Sequence, residues 1–182
     1  MRKIILEVAV SLDGLIEGTN GEYDWCFTDQ DYGMREFFKR IDTIFYGRKS
    51  YELMTREMGK SGKNPFGKKE NYVFSNSLNR LEGAQLIGTN FVSRVNDIKK
   101  SSGKDIWLFG GASLTGSLIN AGLVDEIRMA VHPLLLGIGK PLFQGILDRT
   151  QLRLVDAKTW STGLVSMHYE ITKPQVPIST IN

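Results

Sequence analysis

At 182 residues, 41% hydrophobic and 24% charged, the chain suits one globular domain whose core needs no disulfide or metal staple. A net charge of +3 without a clustered basic stripe argues against nucleic acid, and no segment approaches the apolar length of a membrane span. Cys26 is the only cysteine and His132 and His168 the only histidines, so we expect no disulfide and no metal centre.

In chain order, MRKIILEVAVSLDG carries two basic residues and an apolar run, but Glu7 and the lack of a small-residue cleavage site favour a buried strand over residues 3–10, not a signal peptide. A cytoplasmic location follows as an expectation. Residues 11–28 are rich in turn formers and read as one long connection, of the kind that often carries function. Residues 29–41 place Tyr32, Phe37, Phe38 and Ile41 at helical spacing, with Asp29 available as N-cap. A short strand at 43–46 then meets Gly47, and GRKSYELM opens a second helix.

KSGKNPFGKK, residues 60–69, reads as an exposed loop. Within it G-x-x-x-x-G-K-K falls short of a P-loop, because it lacks the hydroxyl residue that holds magnesium and precedes a strand instead of following one. Strands at 71–75 and 85–88, a helix at 91–101, a strand at 106–109 and a helix at 112–121 closed by Gly122 come next. After residues 124–131 and the turn-rich HPLLLGIGKPLF, the stretches 151–158 and 164–172 flank a hairpin turn at 160–163. His132, just before Pro133, is assigned to a turn, and His168 has no assigned role.

Strands alternating with helices before a terminal hairpin give an α/β fold: three layers, a mixed and mostly parallel sheet with helices on both faces, and a C-terminal antiparallel hairpin. Residues 1–173 form one domain in this reading. The tail, 174–182, is an exposed end or an arm onto a partner chain.

Three places share one form, a strand end followed by small or hydroxyl residues at a helix start: Gly47-Arg48-Lys49-Ser50, Ser75-Asn76-Ser77, and Gly110-Gly111-Ala112-Ser113. Ligands of open α/β sheets settle at the carboxyl ends of strands, so parallel strands would bring these loops to one edge. Amides after Gly110 and Gly111 suit a pyrophosphate, while Arg48, Lys49, Ser75 and Ser77 suit a 2′-phosphate, which favours NADPH over NADH. Each motif alone also has a structural reading, as a tight turn or a solvated helix start. No G-x-G-x-x-G is present, so this is not the usual Rossmann solution.

Taken together, SLDGLIEG, GRKSYE, DIWLFGGASL, GLVDEI and HPLLLGIGKPLF resemble the dihydrofolate reductase-like superfamily. The similarity is nearest to the branch holding the reductase domain of the riboflavin-biosynthesis deaminase-reductase and its stand-alone relatives, and it spans residues 2–172. The resemblance implies NADPH as cofactor, with Gly110, Gly111, Ala112 and Ser113 at the pyrophosphate. It also puts Gly47 to Ser50 and Ser75 to Ser77 on the adenosine-phosphate side, and Ala9 and Ile16 near the nicotinamide. Direct hydride transfer to a small heterocycle, and a homodimer, are implied as well.

Several positions depart from the family pattern. Met34 stands where dihydrofolate reductases place an acid, so folate reduction would need Asp29, Asp31 or Glu36 from a shifted register. Leu15 and Phe109 replace a lysine and a glutamate of the riboflavin reductases, and a deaminase motif is absent. Asp13 either shapes the SLDG turn or orients substrate beside the nicotinamide, and is the candidate catalytic residue. Trp25 and Tyr51 either wall a substrate pocket or belong to the core. An NADPH-dependent reductase is therefore set against a non-catalytic dinucleotide-binding module, with a small molecule and no membrane or nucleic acid as partner.

Overall fold

A computed structural model describes residues 1–62, 64, 66–81 and 83–172, apart from the side chains of Lys60 and Ser61. Its main sheet has eight strands in the order β5-β4-β3-β6-β1-β7-β10-β9. These are β1 (Ile4–Ser11), β3 (Ile41–Gly47), β4 (Glu70–Phe74), β5 (Gln85–Ile87), β6 (Asp105–Gly110), β7 (Glu126–His132), β9 (Leu152–Thr159) and β10 (Val165–Ile171). β5 through β7 run parallel, and β10 and β9 close the edge as an antiparallel hairpin.

Alternation along β1 explains the layers. Ile4, Leu6 and Val10 face a core with α3 (Phe91–Lys100) and α4 (Ala112–Asn120), whereas Ile5 faces a second core with Phe37 of α1 (Met34–Arg40) and Tyr51 of α2 (Arg48–Ser61). Both faces of the central strands are thus buried, as their near-continuous apolar runs require. The predicted three-layer, mostly parallel α/β fold is the observed one.

Some local expectations need correction. The helix predicted over 29–41 is confined to Met34–Arg40, because Tyr32 (φ 50°) and Gly33 (φ 86°) are left-handed and Ile41 already belongs to β3. Asp29 is not its N-cap: its carboxylate accepts the Tyr32 hydroxyl at 2.6 Å, while Asp31 accepts the Arg35 amide at 3.1 Å. The connection expected over 11–28 contains β2 (Leu15–Glu17), which pairs antiparallel with β8 (Lys140–Pro141) inside the turn-rich HPLLLGIGKPLF. A three-residue and a two-residue strand are too short to show an alternating pattern in sequence.

Gly122 does end α4, left-handed at φ 65°, with the Leu123 amide bonded back to the Leu118 carbonyl at 3.0 Å. His132 is not a turn residue but the buried end of β7. Its Nε2 accepts the Phe27 amide at 3.1 Å, so Nδ1 carries the proton and donates to the Ala130 carbonyl at 3.0 Å. The tail expected over 174–182 lies outside the described residues.

Candidate functional site

Gly47 ends β3 and hands the chain straight to α2, just as Gly111 follows β6 and precedes α4. The two glycines touch: a Cβ on Gly47 would stand 3.4 Å from the Gly111 nitrogen and 3.5 Å from the Gly110 oxygen. Two parallel neighbouring strands therefore deliver two helix N-termini to one place, each with unpaired amides and the positive end of its dipole. Beside them the chain leaving β4 adds Ser75 and Asn76, and the result is a cleft of about 560 Å³.

Arg48, Lys49, Ser50, Ala112 and Ser113 line this cleft with Gly47 and Gly111, so nine of the residues singled out in sequence meet there, counting Ser75 and Asn76. Gly110 lies one residue behind. Its φ of 109° is open to glycine, and the Gly110-Gly111 peptide bond is cis. Ser77 stands just outside the lining and donates its amide to Ser75 Oγ at 3.2 Å, which fixes that hydroxyl at the rim.

The other sequence candidates are elsewhere. Ala9 sits in β1 opposite Ala130 of β7, and Ile16, in β2, packs on the α3–α4 core. Tyr51 is buried in the other core, its ring 5.5 Å from that of Tyr46, and does not line the cleft. Trp25 stacks edge-on against His132 at 5.2 Å, in the loop that His132 holds. Asp13 braces two loops: it accepts the Ser11 hydroxyl at 2.5 Å, the Gly137 amide at 2.7 Å and the Leu136 amide at 3.2 Å. The Ser11 hydroxyl and the Gly137 amide hold its carboxyl below the usual range, so at neutral pH it is an ionised acceptor, not a proton donor.

Sequence reasoning missed Lys140 and Gln144, which line the cleft from β8 and the segment after it. Their motif, HPLLLGIGKPLF, is visible, but its fold-back onto β2 is not. Phe74, Ile87 and Phe91 were also missed, and they give the cleft an apolar wall beside its polar floor.

Burial and then the nearby Asp24 push the Cys26 thiol up to about 11, which disfavours its thiolate at neutral pH. Among the described residues no group of His, Cys, Asp and Glu is arranged to hold a metal ion, and no helix is long and apolar enough to cross a membrane.

The cradle fits a phosphorylated ligand. A Cβ at Gly111 would project between Ser50 Oγ at 3.4 Å and Lys140 Nζ at 3.9 Å, into the space between a hydroxyl and a cation. Only a residue without a side chain keeps that space and the bare amides around it open to an anion. The sequence model of the RibD C-terminal domain matches residues 2–166. The chain belongs to that family.

Among its relatives, the uncharacterized protein YyaP of Bacillus subtilis (strain 168) is 47% identical over 178 residues, 92% of this chain and 94% of YyaP. A solved structure from Shewanella sp. PV-4, ascribed to riboflavin biosynthesis, superposes with a TM-score of 0.79 at 22% identity, over 94% of this chain and 99% of that one. Dihydrofolate reductase from Enterococcus faecalis, solved in complex with NADP(H), gives a TM-score of 0.61 at 14% identity over 94% and 97% of the two chains. Those two likenesses establish the dihydrofolate reductase-like fold.

Proposed function

We propose that this protein is an NADPH-dependent reductase of a small heterocyclic substrate, with the cleft between the α2 and α4 N-termini holding the dinucleotide phosphates. One observation carries the reading: two helix N-termini, a side-chain-free Gly111 and three cationic side chains, Arg48, Lys49 and Lys140, converge on one cleft. The RibD C-terminal family and the NADP(H) complex of the Enterococcus faecalis enzyme support it.

When bound, the reduced nicotinamide supplies a hydride. The chain's own part is to hold the pyrophosphate at Gly111 and Ser113, to take the 2′-phosphate with Arg48 or Lys49 and the Ser75 hydroxyl, and to keep Ala9 as a small, flat stretch of β1 over which a ring can lie. A ribosylaminopyrimidine of the kind reduced in riboflavin biosynthesis is the reference substrate class, modified by Leu15 and Phe109. Phe109, where the resemblance implies a glutamate, packs on Trp107 and Tyr46 against the second core, with ring centroids at 5.0 and 5.1 Å.

That loss of a polar group favours the second reading, a dinucleotide-binding module without turnover. Calorimetric titration with NADPH and, separately, NADH decides the cofactor; micromolar binding that prefers NADPH is the expected result, and no binding of either defeats the proposal. Loss of nicotinamide absorbance with the ribosylaminopyrimidine then separates reductase from module. The protein is further proposed to act in the cytoplasm as a homodimer.

A further inference from the structure

Glu17 and Lys140 face each other across the short β2–β8 pair, and Lys140 Nζ lies 2.8 Å from Glu17 Oε1. Backbone packing forces this closeness. A Cβ on Gly139 would stand only 2.3 Å from the Glu17 carbonyl oxygen, so glycine at 139 is what lets the two segments meet. The clip is stitched on its other side by the Leu142 amide, which donates to the Gly14 carbonyl at 2.9 Å.

The ammonium so placed lines the cleft with the Ser50 hydroxyl, and a Cβ on Gly111 would stand 3.9 Å from Lys140 Nζ. Of the other two cations there, Arg48 is paired within its own helix to Glu52 at 3.1 Å, and Lys49 makes no ion pair among the described residues. A half-exposed pair such as Glu17–Lys140, with about a third of each side chain accessible, is weak and readily exchanged. A lysine ammonium has three donors, whereas Glu17 accepts through one oxygen. A pyrophosphate brings more charge than a carboxylate, and it is met at Gly111 by bare amides and the Ser50 hydroxyl, which Glu17 does not engage.

Resting on the dinucleotide reading of the cleft, we propose that Lys140 is the side-chain cation for a pyrophosphate bound at Gly111, and that Glu17 is its resident counter-ion, which the pyrophosphate displaces. Glu17 thereby sets the affinity of the cleft: it neutralises Lys140 while no anion is present and opposes the entry of one. The ligand class is a pyrophosphate diester, and the cation is contributed from β8, outside the three strand-to-helix loops.

The test titrates the full-length protein calorimetrically, at fixed ionic strength, with NADPH and with inorganic pyrophosphate. Lys140→Gln is expected to weaken NADPH about tenfold or more, as loss of a charge-assisted bond requires. Lys140→Arg is expected to stay near wild type, and Glu17→Gln to bind more tightly than wild type. Unchanged NADPH affinity in a folded Lys140→Gln protein overturns the proposal. Weaker binding in Glu17→Gln overturns the counter-ion role, since it would mean that Glu17 only positions Lys140.

If Lys140→Gln fails to fold, as its thermal transition would show, Glu17→Gln decides: tighter NADPH binding than wild type supports the proposal, and unchanged or weaker binding overturns it. Should wild type bind inorganic pyrophosphate but neither dinucleotide, the cofactor reading fails while Lys140 is still judged on pyrophosphate. Binding of none of the three overturns both.

Discussion

Glu126 is 2% exposed and accepts both terminal guanidinium nitrogens of Arg40, at 2.7 and 2.8 Å. Lys3 adds a bond at 2.6 Å, and His168 Nε2 lies 3.0 Å away, so the histidine without an assigned role belongs to this cluster. Glu126 pairs with Ile5 of β1 in register and Arg40 ends α1, so the cluster ties the start of β7 to a helix.

Burial pushes the Glu126 carboxyl up, but bonds from Arg40 and Lys3 outweigh it and hold the group at about 2. A depressed folded value means that its stabilisation is present above the unfolded value near 4.5 and lost as pH falls towards 2. Glu126→Gln removes the charge and leaves Arg40 with Asp105 as its carboxylate partner, at 2.7 Å. We expect a loss of about 3 kcal/mol in denaturant unfolding at pH 7, shrinking as pH is lowered through 4 to 2. A pH-independent difference would contradict the charge argument.

Glu7 has the opposite sign. Its carboxyl is largely buried, and although Arg128 Nε stands 2.7 Å away, Oε2 is in no aligned hydrogen bond. Burial raises the group to about 7, against the pull of Arg128. The folded protein therefore holds this proton more tightly than the unfolded chain, and the contribution is fully present below about 4.5 and lost as pH rises through 7. Comparing thermal midpoints at pH 5 and pH 8, wild type is expected to fall relative to Glu7→Gln as pH rises. Parallel pH dependence in the two proteins would place Glu7 in the ionised form throughout.

The architecture was legible because it rests on long periodic signals. Residues 3–10 are apolar enough to be a strand buried on both faces, and Gly47, Gly111 and Gly122 mark helix boundaries where strand meets helix or helix ends. The cleft's floor was legible for the same reason: parallel strand ends next to each other in the sheet necessarily bring their loops together. Lys140 and Gln144 were not, because a two-residue strand has no period and its pairing with β2 depends on tertiary contact. Tyr51 and Trp25 show a different limit, since an aromatic residue near a helix start or in a long loop reads the same in sequence whether it walls a pocket or packs on Tyr46 or His132.

Gly111 separates ligand access from folding. Its φ is −81°, which any residue adopts, and the nearest atoms a Cβ would meet are Ser50 Oγ at 3.4 Å and Lys140 Nζ at 3.9 Å. Gly111→Val is therefore expected to fold, with a thermal transition near wild type, and to lose NADPH binding. Gly116→Ala supplies the contrast, because its Cβ would lie 2.6 Å from the Gln144 carbonyl oxygen and backbone must shift. A folded Gly111→Val protein with wild-type NADPH affinity would remove the pyrophosphate from this glycine.

The proposed homodimer also has a chosen surface. β9 is an edge strand, exposed along its whole length, and Leu152 and Leu154 are 40% and 53% exposed on the face they share with Ile171 and Tyr169 of β10. Val155 adds to the apolar edge at the register shift. Among the described residues no element covers this edge, and an exposed apolar edge strand invites pairing with another chain unless charge or a partner protects it. A second copy meets that need by burying the same strand from both sides of a two-fold axis. Leu154→Lys is expected to convert the dimer to a monomer in sedimentation equilibrium with little loss of monomer stability, because Leu154 is already half in solvent. A wild-type protein that is monomeric at high micromolar concentration would rule out this interface.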